Sequence, residues 1–203
     1  MAIKVANNNS LSAITALPAA VSGGAMTLLE TQTASSSSTI SFTSNIDSTY
    51  DEYVFKFYNI HPATDGAELT FQGDTGTNTN YNQTITSTSF QTNHKEDDGE
   101  TGLLYAAPFD QAQGTAFQII QANVYNANDN GANGTLTIFD PSSSVFVKHF
   151  FSDIQSQQLD SVGMSQRYFT SGYFNTATAL TRFQFKFSSG NMDSGVIKLY
   201  GIS

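Results

Sequence analysis

No cysteine occurs in the 203 residues, so disulfides, thiolate metal centres and cysteine nucleophiles are excluded. Charge is sparse as well. Asp, Glu, Lys and Arg make up 12% of the chain, about half the usual share. The eight Lys and Arg stand singly against 17 Asp and Glu, giving a formal net charge of −9. A nucleic-acid backbone would be repelled, so sequence-independent nucleic-acid binding is not expected. Long apolar runs are missing too. Residues 11–21 are too short, and too broken by Ser12, Thr15 and Pro18, to span a bilayer. The first residues lack the long apolar stretch of a secretory signal, so neither secretion nor membrane insertion is expected. After residue 25, no segment of helix length carries a helical apolar period.

What fills the chain is Phe (16), Tyr (9) and an abundance of Ser, Thr, Asn, Gln and Gly. Thr and the aromatics suit a pleated, half-buried surface, and Ser, Asn and Gly supply turns. Alternation is plain in Tyr53, Phe55 and Phe57 and again in Phe183, Phe185 and Phe187. Further strands are expected around 27–33, 40–42, 69–71, 117–125, 135–139, 145–151, 167–174 and 196–202. Turns are expected at 35–38, 73–76 and 126–134, and a hairpin around Asp140-Pro141. Residues 74–102 read as one or two exposed strands and a long loop. About ten short strands therefore imply an all-β fold, an antiparallel β-sandwich of jelly-roll type, over residues 26–203. Its core should include Ile40, Phe42, Leu69, Phe71, Ile197 and Leu199 beside the alternating aromatics.

Residues 1–25 form a distinct N-terminal arm. Leu11, Ile14 and Leu17 share one face at helical spacing before Pro18 stops the turn, and Gly23-Gly24 makes a joint. With Ile3, Val5 and Val21 they are candidate anchor residues for a partner protein. A small helix lying on its own domain is the alternative.

Sites that carry chemistry are weakly marked. Asn126-Ala-Asn128-Asp129-Asn130-Gly131 resembles the start of a calcium loop. However, Asn126 replaces the first Asp, and Thr137 stands where the bidentate Glu belongs, so a turn is the better reading. Glu96, Asp97, Asp98 and Glu100, with His94 nearby, read as a solvated acidic tip rather than a metal site. His61, His94 and His149 lack the G-x-S-x-G elbow and the H-E-x-x-H spacing, so no enzyme, metal or cofactor is expected. Tyr81, Tyr105, Tyr125, Tyr168 and Tyr173 are candidates for glycan or subunit contact, set against the plainer reading as core edges.

Several stretches resemble a family of virion structural proteins from tailed bacteriophages, especially marine phages of cyanobacteria and pelagic bacteria. They include Ala16-Leu-Pro-Ala-Ala-Val-Ser-Gly-Gly24 leading into residues 27–36, then residues 41–53 and Asn59-Ile-His-Pro-Ala-Thr-Asp65. Pro141-Ser-Ser-Ser144, Val147-Lys-His149 and the ending from Ser188 to Ile202 complete the set. The resemblance implies a non-enzymatic particle component, assembled in the cytoplasm of the infected bacterium and located in the virion. It would act as an exterior capsid decoration or cement, or as an appendage module. Its partners would be other capsid or tail proteins and further copies of itself, with a trimer as the analogous form. A tail-fibre-like receptor or glycan-binding module, acting on a host surface glycan, is the alternative.

Overall fold

The computed structural model describes residues 26–159 and 162–203. The anchor candidates Ile3, Val5, Leu11, Ile14, Leu17 and Val21 lie outside the described residues. Two antiparallel sheets face each other. The large one runs in the order β1 (Thr27–Ser37), β13 (Met192–Ile202), β3 (Glu52–Pro62), β9 (Ala132–Phe139), β10 (Lys148–Leu159), β11 (Gly163–Phe174), β5 (Ile85–Lys95) and β6 (Thr101–Tyr105). A short strand, β7 (Ala112–Gly114), also pairs with β5. The small sheet runs in the order β2 (Ile40–Phe42), β12 (Leu180–Phe187), β4 (Ala67–Thr75) and β8 (Gln118–Val124). Among the described residues there is no α-helix, only one 3₁₀ turn at Ala107–Phe109, and so no helix long and apolar enough to cross a membrane.

The all-β antiparallel sandwich is the class the alternating aromatics imply. The jelly-roll wiring is not supported by the strand order. A jelly roll folds eight strands into two sheets, whereas these sheets hold nine and four.

The core forms because alternate residues of facing strands interdigitate. All twelve positions named above as core are buried. Phe55 of β3 meets Phe183 and Phe185 of β12 at 5.5 and 5.0 Å between ring centres, and Phe71 of β4 meets Phe150 of β10 at 5.0 Å, all edge-on. Each edge-to-face pair adds about 0.5–1.5 kcal/mol to the burial of the rings. At one end, the Tyr53 hydroxyl accepts from the Asp47 backbone N–H at 3.0 Å and lies 2.9 Å from the Asp47 carbonyl, pinning the β2–β3 connection.

Several expectations need correction. A strand does form within 74–102 as expected, but it lies inside the sheet rather than exposed at its edge. Residues 85–95 form β5, which pairs with β11 from Ile85↔Phe174 to Lys95↔Met164. Ser, Thr, Asn and Gln occupy most of β5, so apolar alternation is faint there, and its inward-facing Ser89 is buried by bonding Thr170 at 2.9 Å instead. β10 continues through 152–159 and β11 begins at Gly163, stretches whose polar composition hides their strands. Three expected turns shrink: β1 continues to Ser37, β4 to Thr75, and β9 begins at Ala132.

Candidate functional site

The large sheet turns its second face away from the small one. Because Phe150, Ile154, Tyr168 and Phe174 point inward, the odd-numbered residues of β10 and β11 point outward. Along β10 these are His149, Phe151, Asp153, Gln155 and Gln157, and opposite them on β11 are Tyr173, Ser171, Phe169, Arg167 and Ser165. The face is therefore aromatic at one end and amide-bearing at the other. Arg167 and Asp153 mark the divide. The Arg167 guanidinium clamps both carboxylate oxygens, its Nε at 2.7 Å, and this fork of hydrogen bonds raises the arginine further above its ordinary range.

At the aromatic end, Tyr105 of β6 lies opposite Phe90 of β5, which lies opposite Phe169 of β11. The Phe90 and Phe169 rings stack at 4.8 Å, and the Arg167 guanidinium covers Phe169 at 4.6 Å. Exposure is high for such residues: 43% for Phe90, 45% for Phe151 and 66% for Tyr105. Between Phe151, Phe139, His149 and Tyr173 the small side chains of Thr88 and Ser171 leave an open, mainly apolar depression of about 450 Å³. Across the same face, Lys56 and Lys198 are direct cross-strand neighbours. Lys56 lies over the Tyr200 ring at 5.3 Å and Lys198 over Tyr58 at 5.4 Å. Among the described residues neither meets a carboxylate within 4.0 Å.

At the amide end, a cavity of about 380 Å³ opens where β3 and β13 bulge. The connection between β8 and β9 forms its wall. His61 Nε2 lies 3.1 Å from the Ala127 carbonyl, and the Asn130 N–H donates to that same oxygen at 2.9 Å. A carbonyl only accepts, so His61 Nε2 carries a proton and donates it there, while Nδ1 lies 3.9 Å from Asp193.

The five tyrosines do not converge. Tyr81 and Tyr168 are buried and offer no surface, which corrects their placement as contact residues. The Tyr81 N–H donates to Asp74 at 2.7 Å, and Tyr168 packs against Phe109 at 5.6 Å. Tyr125 is half-buried and takes a hydrogen bond from Gln158 at 3.0 Å. Tyr105 and Tyr173 do reach the outer face, on different cross-strand rows, and the Tyr105 hydroxyl bonds Asp110. The acidic tip is an exposed turn between β5 and β6, with His94 paired to Asp98 at 3.0 Å and Lys95 to Glu100 at 3.2 Å. No three His, Asp or Glu side chains gather into a metal-sized group among the described residues. Sequence reasoning missed the outward Phe90, Phe151 and Phe169 and the paired lysines; strand alternation through 85–95 and 148–174 was the signal. No protein-family model, curated protein or solved structure matches this chain.

Proposed function

We propose that this chain is a non-enzymatic structural protein of a tailed-bacteriophage virion, an exterior decoration or appendage module that binds a neighbouring virion protein. The resemblance of its sequence stretches supplies the setting. The observation that carries the docking reading is the outer face of the large sheet, which exposed aromatics share with two lysines that meet no carboxylate among the described residues. Isolated exposed apolar residues are ordinary, but a run of them on one sheet face marks a contact surface. Like charges directly opposite on a sheet destabilise it. Lys56 and Lys198 bear that cost on a chain of net charge −9, and an acidic partner surface would offset it. The occupant is accordingly an acidic protein face carrying apolar side chains to meet Phe90 and Phe151.

The test is the double variant Lys56→Glu/Lys198→Glu. Both side chains are on the solvent side of strands, so the circular dichroism spectrum and thermal transition should persist. Incorporation into purified particles, read by quantitative mass spectrometry, should fall at least tenfold, roughly the effect of losing ~1.4 kcal/mol. A folded double variant found in particles at the wild-type copy number would remove this face as the docking surface.

A further inference from the structure

The amide-lined cavity at the opposite end of the same face is not used by the docking reading. Its lining is mostly polar and rich in side-chain amides: Asn59 from the bulge, Asn128 and Asn130 from the loop, Asn133 from β9, whose Oδ1 accepts from the Asn59 N–H at 2.9 Å, and Gln155 and Gln157 from β10. Asn130 is the telling residue. It is only 6% exposed, yet neither its amide nitrogen nor its amide oxygen has a hydrogen-bond partner among the described residues. The Nδ1 of His61 on the same wall is also buried without one. Buried polar atoms are nearly always paired, and each one left unpaired costs free energy unless something fills the site. Gln155 and Gln157 likewise make no side-chain hydrogen bond among the described residues, and both face outward over the cavity mouth.

We propose that this cavity binds a neutral, hydroxyl-rich saccharide unit. A side-chain amide presents one acceptor and two donors side by side. A sugar hydroxyl both donates and accepts, so adjacent hydroxyls match an amide two bonds at a time. The volume of about 380 Å³ lies at the lower end of small-molecule sites, around 300–1,000 Å³. Charge selects against acidic sugars, because Asp129 lines the cavity and Asp193 lies at its histidine. Two further depressions on the same face share lining residues with the cavity. A depression of about 340 Å³ shares Asn133 and Gln155 with it and ends at Arg167. Another, of about 470 Å³, shares Gln155 and Gln157 and reaches His94 and Ser165. One sugar would sit in the cavity and its neighbours along the outer face, so the ligand is an oligosaccharide rather than a free monosaccharide.

The experiment uses the full chain on an array of neutral, amino and acidic oligosaccharides, followed by calorimetric titration with the best neutral oligosaccharide. Two variants read the site. Asn130→Leu replaces the amide by an apolar group of similar shape. If the amide exists for a ligand, thermal stability holds or rises while affinity falls about tenfold or more, as expected for two lost hydrogen bonds. Gln155→Ala, at an exposed position, should weaken binding severalfold with no change in stability. Absence of neutral-sugar binding on the array overturns the proposal, as does binding that both variants leave intact. Destabilisation by Asn130→Leu with unchanged affinity shows a structural amide and overturns it too. Particle incorporation should stay normal in both variants, which separates this site from the docking face.

Discussion

At the scale of single residues, the polar groups inside this sandwich explain its response to pH. Tyr168 is the clearest case. Its ring is buried beside Ala106, Ala122 and Phe109, and burial, reinforced by the negative charge of Glu68, pushes its phenol up to about 12. The folded state thus holds the proton more tightly than the unfolded chain, whose tyrosines titrate near 10. Stability from the neutral phenol is fully present below pH 10 and is lost as pH rises from 10 toward 12. Tyr168→Phe cannot titrate. Its unfolding free energy should fall less steeply across that window, by up to about 1.4 kcal/mol per pH unit for one proton. Denaturant melts at pH 9, 10, 11 and 12 check this, and identical slopes in both proteins would show that Tyr168 does not titrate on unfolding. Burial acts in the other direction on Lys148, whose ammonium donates to the Phe146 carbonyl at 2.6 Å and the Thr176 carbonyl at 3.2 Å. Desolvation lowers its pKa, a shift that nearby Asp140 partly opposes.

At the scale of elements, the strands that were easy to read are those whose inner face is aromatic. Residues 53–57 and 183–187 announce themselves because the period-2 signal is carried by Phe and Tyr against Lys, Arg and Gln. β5, β10 and the start of β11 do so less, because many of their inward positions are polar: Ser89, Asn93, Ser152, Ser156 and Gln166, all buried. There the ladder and side-chain hydrogen bonds replace apolar burial, and composition alone resembles a loop. The aromatic half of the outer face was hidden with them. So was the amide cavity, since it needs Asn130, His61 and Gln155 from three separate segments and two bulges that no local pattern marks. The same region offers a sharp mechanical test. Gly172 on β11 is crowded: a Cβ there would lie 2.5 Å from the Thr86 carbonyl oxygen, 2.8 Å from the Phe150 ring and 2.9 Å from the Ser87 Cβ. Two of those neighbours are on β5, so the glycine lets that strand close onto β11. Gly172→Ala should cost about 1–3 kcal/mol, the usual range for overpacking. Ser171→Ala, exposed on the outer face, should stay within about 0.5 kcal/mol of wild type. Equal stability of the two variants would mean that β5 can shift away without loss.

At the scale of the whole molecule, the strands, ladders and aromatic core of the described residues close on one another within 26–203. The fold should therefore survive removal of residues 1–25, and a chain of 26–203 should unfold in one cooperative transition. Attachment is a different matter. Ile3, Val5, Leu11, Ile14, Leu17 and Val21 are candidate anchors by sequence, and the docking face proposed above is centred on Phe90, Phe151, Lys56 and Lys198. These two contacts predict different behaviour in salt. An apolar anchor is insensitive to moderate ionic strength. A contact resting on Lys56 and Lys198 is screened, because the Debye length falls from about 10 Å at 0.1 M to about 3 Å at 1 M. If both hold the protein on the particle, the 26–203 chain should join particles at low salt and be released at high salt, while the full chain is released only in part. The copy number on particles purified at the two ionic strengths checks this. Full retention of the truncated chain at 1 M salt would assign attachment to apolar contacts of the sheet face and leave residues 1–25 without a part in it; failure to bind at either salt would make the N-terminal segment the essential anchor.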